Sequence, residues 1–340
     1  MTSSEPHEKT TTPVHQISIV IPVYGGERHL MAVVEELETF GEPTATPDGN
    51  VFRVVEVVLV HDCGPDDSAG VIRRAAEKWE WVRPVWLSRN YGQHAATLAG
   101  MASTGGEWIV TLDEDGQHDP QDIASLLDVA LREGASLVYA APVNEAPHPA
   151  YRRLTSVGAK RVARLLSGGT DPSVFHSFRL VLGEVGRSVA AYAGQGVYLD
   201  VALAWVTQPP ATAPVTLRDE GDRVSGYDLR RLLSHFWRMI LTSGTRGLRM
   251  VSVLGFVAAL VGFVLAVVVV VLRIVNGAPV QGWTSMIVVT LVCSGGILFA
   301  LGVVAEYIGV AVGMALGKPP YLIVSDPDAG PLGRRTRPRG

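Results

Sequence analysis

A chain of 340 residues with 47% hydrophobic and only 18% charged residues carries a formal net charge of −4. Its length allows two or three domains, and it has ample apolar material for a core. The charged share lies below the roughly 25% of a typical globular domain and mean hydropathy is +0.24, so disorder and collagen-like architecture are excluded and a wholly soluble enzyme is disfavoured.

Residues 1–16 are polar and lack an apolar stretch, which predicts a short disordered tail and no signal peptide. Ile17 to Val23 is a β-branched apolar run ending at a Tyr-Gly-Gly turn, the pattern of a parallel strand buried on both faces. Glu27 to Phe40 carries helical spacing through Leu30, Val33, Val34 and Leu37. Val51 to Val60 reads as a second buried strand, followed by turn chemistry and a helix from Ser68 to Trp79. A third strand is expected over Val82 to Leu87 and a helix over Ala95 to Ala102. A fourth strand, Trp108 to Leu112, runs into an acidic loop, with a helix over Asp122 to Leu131. Strands alternating with helices predict an α/β fold, a Rossmann-like, doubly wound sheet spanning residues 17–225. Ligands gather at the carboxyl ends of such strands. Four motifs stand there: IPVYGGE (Ile21 to Glu27), HDCGPDDS (His61 to Ser68), SRNYGQH (Ser88 to His94) and LDEDGQHDP (Leu112 to Pro120).

The chain changes character near Gly221. Residues 1–222 hold 17 basic against 29 acidic side chains, whereas residues 223–340 hold 12 against 4, so an acidic body of −12 joins a basic third of +8. From Tyr227, Leu229, Leu232, Leu233, Phe236, Trp237, Ile240 and Leu241 recur at helical spacing with Arg230, Arg231 and Arg238 off the stripe. This predicts an amphipathic helix over 226–249, lying in a membrane interface or facing a core. Two uncharged runs follow, about 251–272 and 283–305, each long enough to cross a hydrocarbon core about 30 Å thick. They predict a two-helix transmembrane hairpin over 250–308, with Ala258, Gly262, Gly295, Gly296 and Gly302 letting the helices approach closely. Arg246 and Arg249 precede the first run and Lys318, Arg334, Arg335, Arg337 and Arg339 follow the second, against Arg273 alone between them. The positive-inside rule puts the body and the 309–340 segment in the cytoplasm. The basic residues flank apolar runs, which points to membrane lipids and away from nucleic acid. Cys63 and Cys293 are far apart and offer no disulfide framework, as expected in a reducing compartment.

The chemistry concentrates in the acidic loop. Asp113 and Asp115, one residue apart after a strand, can hold a hard divalent cation that bridges a diphosphate, with Gln117 as a neutral oxygen ligand; a solvated acidic turn has the same composition. Asp62 can accept hydrogen bonds from a base or ribose, or simply form a turn. Asp66 and Asp67 read as a helix cap and first-turn charge. His94 and His118 read as structural and complete no metal set; Asp200 reads as structural; Arg161 and Arg164 read as helix surface.

In their order, IPVYGGE, HDCGPDDS, SRNYGQHAATLAG and LDEDGQHDP resemble the successive signatures of family 2, GT-A-fold glycosyltransferases. The closer likeness is to the polyprenyl-phosphate branch: dolichol-phosphate mannose synthases, bactoprenol glucosyltransferases and undecaprenyl-phosphate aminoarabinose transferases. RGLRMVSVLG (Arg246 to Gly255) and AEYIG (Ala305 to Gly309) extend it into the apolar runs, so that it covers roughly Ile17 to Val324. The resemblance implies that Asp113, Asp115 and Gln117 hold nucleotide and Mg²⁺ or Mn²⁺, with Asp115 the catalytic residue. It implies that Pro22, Tyr24 and Asp62 line the nucleoside pocket and that Arg89, Asn90 and Gly92 close over the donor. Arg152, Arg153, Ser156, Arg179, Arg218, Ser225 and Tyr227 match the region that receives the lipid phosphate. The pattern is broken where His61 and Cys63-Gly64 replace parts of Asp-Asp-Gly-Ser, where Gly25-Gly26 replaces Asn-Glu with Glu27 as the substitute carboxylate, and where Ser177 replaces Asp.

The implied activity is inverting transfer of a sugar from a UDP- or GDP-linked donor to polyprenyl phosphate at the cell membrane, for cell-envelope glycan or glycolipid modification, by a homo-oligomer that in the family is a tetramer. The altered motifs leave two alternatives: a non-catalytic membrane adaptor on a decayed transferase fold, and a transferase using another lipid acceptor. A processive polysaccharide synthase would carry a Q-x-x-R-W motif, which this sequence lacks.

Overall fold

A computed structural model describes residues 13–144, 174–194, 197–218, 246–276 and 282–330. The chain divides into two compact units. One comprises Met1–Ser156, Asp171–Gly226 and Pro319–Gly340; the other comprises Val157–Thr170 and Tyr227–Lys318.

The first unit is built on a nine-stranded sheet among the described residues. Its strands are β1 (Val14–Val23), β2 (Thr44–Ala45), β3 (Val51–His61), β4 (Val82–Leu87), β5 (Trp108–Thr111), β6 (Leu137–Pro142), β7 (Arg179–Leu182), β8 (Ala211–Val215) and β9 (Ile323–Val324). Its helices are α1 (Leu30–Leu37, extended by a 3₁₀ turn to Phe40), α2 (Ser68–Lys78), α3 (Gln93–Ala102), α4 (Asp122–Glu133), α5 (Gly183–Tyr192) and α6 (Leu199–Val206). β1 begins at Val14, three residues before the expected start, so the polar tail ends sooner than the composition suggests.

Side chains alternate across the sheet as a pleat requires. Ile17, Ile19, Ile21 and Val23 of β1, with Val57 and Leu59 of β3, face one core. Val20, Val58 and Val60 face the other, with Ala96 and Leu98 of α3 and Leu199 and Leu203 of α6. Two buried faces explain why these strands read as unbroken apolar runs.

The sheet order is β8-β6-β7-β5-β1-β3-β4-β9, with β2 paired to β3 outside this path. β4, β3, β1 and β5 are mutually parallel. The expected doubly wound arrangement is present in these four strands, and the sheet adds β7, antiparallel between β5 and β6, and β9, antiparallel to β4. The sheet is therefore mixed. The chain winds from β1 through β3 to β4 on one side, then returns with β5 on the other, and this reversal opens a crevice beyond the ends of β1 and β5.

The last described segment ties itself to the outer edge of the sheet. Trp86 and Leu87 of β4 pair with Val324 and Ile323 of β9. Arg73 of α2 grips Asp326 through Nε and Nη2 at 2.8 and 2.7 Å, and Asp328 through Nη1 at 2.7 Å.

In the second unit, α7 (Arg246–Asn276) and α8 (Trp283–Ala315) are long helices. Both run past the expected apolar windows, because helical backbone continues through Arg246 and Arg249 at one end and Glu306 and Tyr307 at the other. Val292–Gly309 within α8 is long and apolar enough to cross a membrane. Phe256, Leu260 and Phe263 on α7 and Leu298 and Phe299 on α8 are exposed, a surface suited to lipid. Among the described residues, a side chain added at Gly262, Gly295, Gly296 or Gly302 would meet nothing within 4 Å. The amphipathic stretch over 226–245 lies outside the described residues.

Candidate active site

A cleft of about 390 Å³ opens at the carboxyl ends of β1, β3 and β5 and the N-terminus of α3. Pro22, Tyr24, Asp62, Asn90, Gly92, Asp113 and Asp115, all expected at the site, line it, together with His29, Gln93 and Glu114. Four motifs spread over about a hundred residues of sequence thus meet in one place, because parallel strands deliver all their following loops to the same edge.

Asp62 follows β3, and its two oxygens accept the consecutive backbone N–H groups of Tyr91 and Gly92 at 2.7 and 2.8 Å. Burial pushes its carboxyl up and these two hydrogen bonds pull it back down. Gly92 itself has φ of 89°, where a side chain would be strained. Arg89 sits over the Tyr91 ring at 4.4 Å beside this loop. The next turn is unusually tight. Cys63 takes φ of 50°, and a Cβ on Gly64 would stand 1.6 Å from the Tyr24 carbonyl oxygen, so only glycine lets β1 and β3 end side by side. His61 is buried against Trp86 with neither ring nitrogen meeting a hydrogen-bond partner among the described residues. Burial and the Arg73 charge lower its pKa. Asp67 stands at the N-cap of α2 without a side-chain capping bond, and Asp66 supplies one instead: its Oδ1 accepts the Ser68 N–H at 3.2 Å and its Oδ2 the Glu27 N–H at 3.0 Å.

Each carboxylate of the acidic loop has its own partners. Asp113 Oδ1 accepts from Gln93 Nε2 at 2.7 Å, and Oδ2 accepts from the Ser177 hydroxyl at 2.5 Å. Burial raises its pKa and the neighbouring Asp115 raises it further. Asp115 Oδ2 accepts from the Gln117 side-chain amide at 2.8 Å, so Gln117 here orients that carboxylate. His118 lies behind the loop among His176 and Phe178, its pKa lowered by burial to about 4, and its neutral Nδ1 accepts the Asp113 N–H at 3.3 Å. Asp113 and Asp115 are hard oxygen donors that repel one another, which fits a divalent cation such as Mg²⁺ or Mn²⁺. No group of three His, Cys, Asp or Glu side chains among the described residues could hold an ion unaided, so the remaining positions would fall to phosphate oxygens and water.

Two expected site residues are placed differently. Glu27 is not among the residues lining the cleft; its Oε2 instead accepts the Asp67 N–H at 3.3 Å. Arg179 is only 4% exposed. Its guanidinium pairs with Asp200, which also accepts from the Tyr139 hydroxyl at 2.7 Å, so the charge expected on a lipid phosphate is spent inside the core. Asp200 is thereby a structural partner. Arg218 is half-exposed and pairs with Glu36 and Asp119 at 2.7 and 3.1 Å. Arg152, Arg153, Ser156, Ser225 and Tyr227 lie outside the described residues. His94 packs its ring on Tyr198 at 3.8 Å.

Sequence reasoning gave no site role to Glu114, Gln93 or His29, and noted Ser177 only as a departure. Glu114 Oε2 accepts the Tyr24 N–H and Oε1 the Gly25 N–H, each at 2.9 Å. Its pKa is raised by burial against these two bonds. The sequence signal for it was the pair of glycines opposite.

The model of "Glycosyl transferase family 2" matches residues 18–182. An undecaprenyl-phosphate 4-deoxy-4-formamido-L-arabinose transferase of Pseudomonas aeruginosa (strain LESB58) is 30% identical over 318 residues, covering 92% of this chain and 90% of the relative. The protein of that name from Klebsiella pneumoniae (strain 342) is 29% identical over 330 residues, covering 92% and 94%. Among solved structures, glucosyl-3-phosphoglycerate synthase from Mycobacterium tuberculosis with Mn²⁺, UDP and glucosyl-3-phosphoglycerate is 18% identical, with TM-score 0.47, covering 68% of this chain and 80% of that one.

Proposed function

The chain belongs to glycosyl transferase family 2, and we propose that it is a membrane-bound, inverting enzyme that moves a sugar from a nucleotide-sugar donor to polyprenyl phosphate. One observation carries the reading: two repelling carboxylates, Asp113 and Asp115, stand at the end of β5 in the same cleft as Asp62 and Tyr24. The acceptor class is supported by relatives named for undecaprenyl phosphate that align over nearly the whole chain.

When bound by Asp113 and Asp115, Mg²⁺ or Mn²⁺ supplies positive charge against the departing nucleoside diphosphate. Gln93 and Ser177 fix the two oxygens of Asp113, and Gln117 fixes Asp115, so the carboxylates are oriented before any ligand arrives. Pro22, Tyr24 and Asp62 form the nucleoside end of the cleft, while Arg89, Asn90 and Gly92 lie on the segment that flanks the donor. The acceptor phosphate is anionic at neutral pH and requires no general base. Its oxygen bonds to the anomeric carbon as the bond from that carbon to the diphosphate oxygen breaks, with inversion. Arg152, Arg153, Ser156, Arg218, Ser225 and Tyr227 are assigned to the lipid phosphate, where guanidinium groups give bidentate recognition. The apolar runs 251–272 and 283–305 form a hairpin across the cell membrane, with the catalytic unit cytoplasmic.

Membranes containing the chain, supplied with polyprenyl phosphate and a panel of UDP- and GDP-sugars, are expected to form a sugar-linked lipid that EDTA abolishes. No transfer from any donor overturns the activity; full transfer after removal of divalent cations overturns the metal role.

A further inference from the structure

The three consecutive carboxylates of the acidic loop do not act alike. Asp113 is held by Gln93 and Ser177, and Asp115 by Gln117. Glu114 instead reaches across to the loop after β1, where its two oxygens take two successive backbone N–H groups. Asp62 does the same on the other wall with Tyr91 and Gly92. The cleft is thus bounded by two loops, each clamped by one carboxylate.

The glycines opposite Glu114 are part of this arrangement. A Cβ on Gly26 would stand 2.9 Å from Glu114 Oε2, 3.0 Å from a Val23 methyl and 3.2 Å from Leu30 Cβ. Gly26 therefore leaves room for the Glu114 carboxylate, and the loop's bare backbone receives a carboxylate it does not itself carry. An ionised carboxylate has about four acceptor sites. The backbone uses two, and the group lines the cleft with Tyr24, Gly25, His29 and Asp62. A carboxylate repels a diphosphate, so what it accepts from is a neutral N–H or O–H.

Building on the glycosyltransferase reading, we propose that Glu114 is a donor-recognition residue whose carboxylate accepts from the N–H or O–H edge of the nucleoside, while Asp113 and Asp115 serve the diphosphate end. The division of labour is by loop: one acidic tripeptide addresses both parts of the donor, and Gly25-Gly26 provides the surface on which its middle member is seated.

The test uses the purified full chain in detergent with Mn²⁺, measuring binding of UDP and GDP and, separately, of inorganic pyrophosphate, which has no nucleoside. In Glu114→Ala, the better-bound nucleoside diphosphate is expected to weaken by about ten- to hundredfold, the worth of one charge-assisted hydrogen bond, with pyrophosphate binding unchanged. Glu114→Gln, which keeps the volume and one acceptor, is expected to fall between, and serves if the alanine variant does not fold. In transfer assays the donor KM rises while the lipid KM stays fixed. Equal binding of nucleoside diphosphate by wild type and both variants overturns the proposal and leaves the proposed function standing. Equal loss of nucleoside diphosphate and pyrophosphate also overturns it, assigning Glu114 to the diphosphate end or to loop structure alone. Failure of the wild-type chain to bind either nucleotide overturns the glycosyltransferase reading, and this proposal with it.

Discussion

Replacing Asp200 with alanine leaves the Arg179 guanidinium charged in a place where both side chains of the pair are about 5% exposed. Removing one partner of such a pair costs about 3–5 kcal/mol, because the survivor keeps its desolvation penalty and loses its compensation. The Tyr139 hydroxyl loses its acceptor at the same time, adding to the same end of that range. At roughly 2–4 °C per kcal/mol for a domain of 150–250 residues, the unfolding midpoint of the catalytic unit should fall by about 6–20 °C. Arg179→Met should fall comparably. The double variant Asp200→Leu with Arg179→Met removes both charges and should recover much of the loss, giving a large favourable coupling in the cycle. Thermal unfolding of the detergent-solubilised chain reads this directly, and steady-state kinetics of the same variants read the lipid KM. If Arg179→Met leaves the midpoint unchanged and raises the lipid KM, the core-pair reasoning is refuted and Arg179 returns to the acceptor site.

Further outcomes follow from other parts of the site. Asp115→Ala should abolish transfer while membrane insertion, followed by fractionation, is unaffected; an active variant removes Asp115 from the chemistry. Gly64→Ala should cost at least about 3 kcal/mol by denaturant titration, because the Tyr24 carbonyl stands 1.6 Å from the new Cβ; wild-type stability would show that the two strand ends can separate. His61 has a folded-state pKa below its ordinary value, so the unfolded chain takes up the proton first as pH falls. Stability from this residue is therefore present above about pH 6.5 and lost progressively below it. His61→Phe should flatten that acid-side loss and stabilise the neutral-pH form by about 1 kcal/mol, since two unpartnered nitrogens disappear; an unchanged pH slope would exonerate His61.

The first half of the fold was legible because each strand of the parallel core is apolar on both faces and is followed by turn chemistry. Val82–Leu87 matches its structural strand at both ends, and Val51–His61 runs one residue past its expected end. β7 was not legible. Arg179–Leu182 is four residues long without alternation, and its antiparallel direction depends on where the chain enters the sheet. β9 is two residues, and only the partner β4 makes it a strand. In the site, Asp62, Asp113 and Asp115 stand out because acidic residues after buried strands are conspicuous. Glu114 lies between two more conspicuous carboxylates, and its partners are about ninety positions away in sequence. The Arg179–Asp200 pair did leave a trace: an aspartate inside the apolar stretch Leu199–Val206 calls for a buried counter-charge.

The pairing of β9 with β4 limits how the chain could cross a bilayer. The chain leaves the first unit after Gly226 and is back in it by Pro319, held by a strand pairing and by Arg73. A path that starts and finishes on the same folded body must cross any barrier an even number of times. One crossing, or three, would put β9 on the opposite side from the strand it pairs with. If α8 crosses, a second segment between Gly226 and Pro319 crosses back, whatever its hydropathy. A reporter fused at residue 340 would then share a compartment with the Asp113–Asp115 cleft, and if α7 is the segment that crosses back, one inserted between α7 and α8 would report the far side.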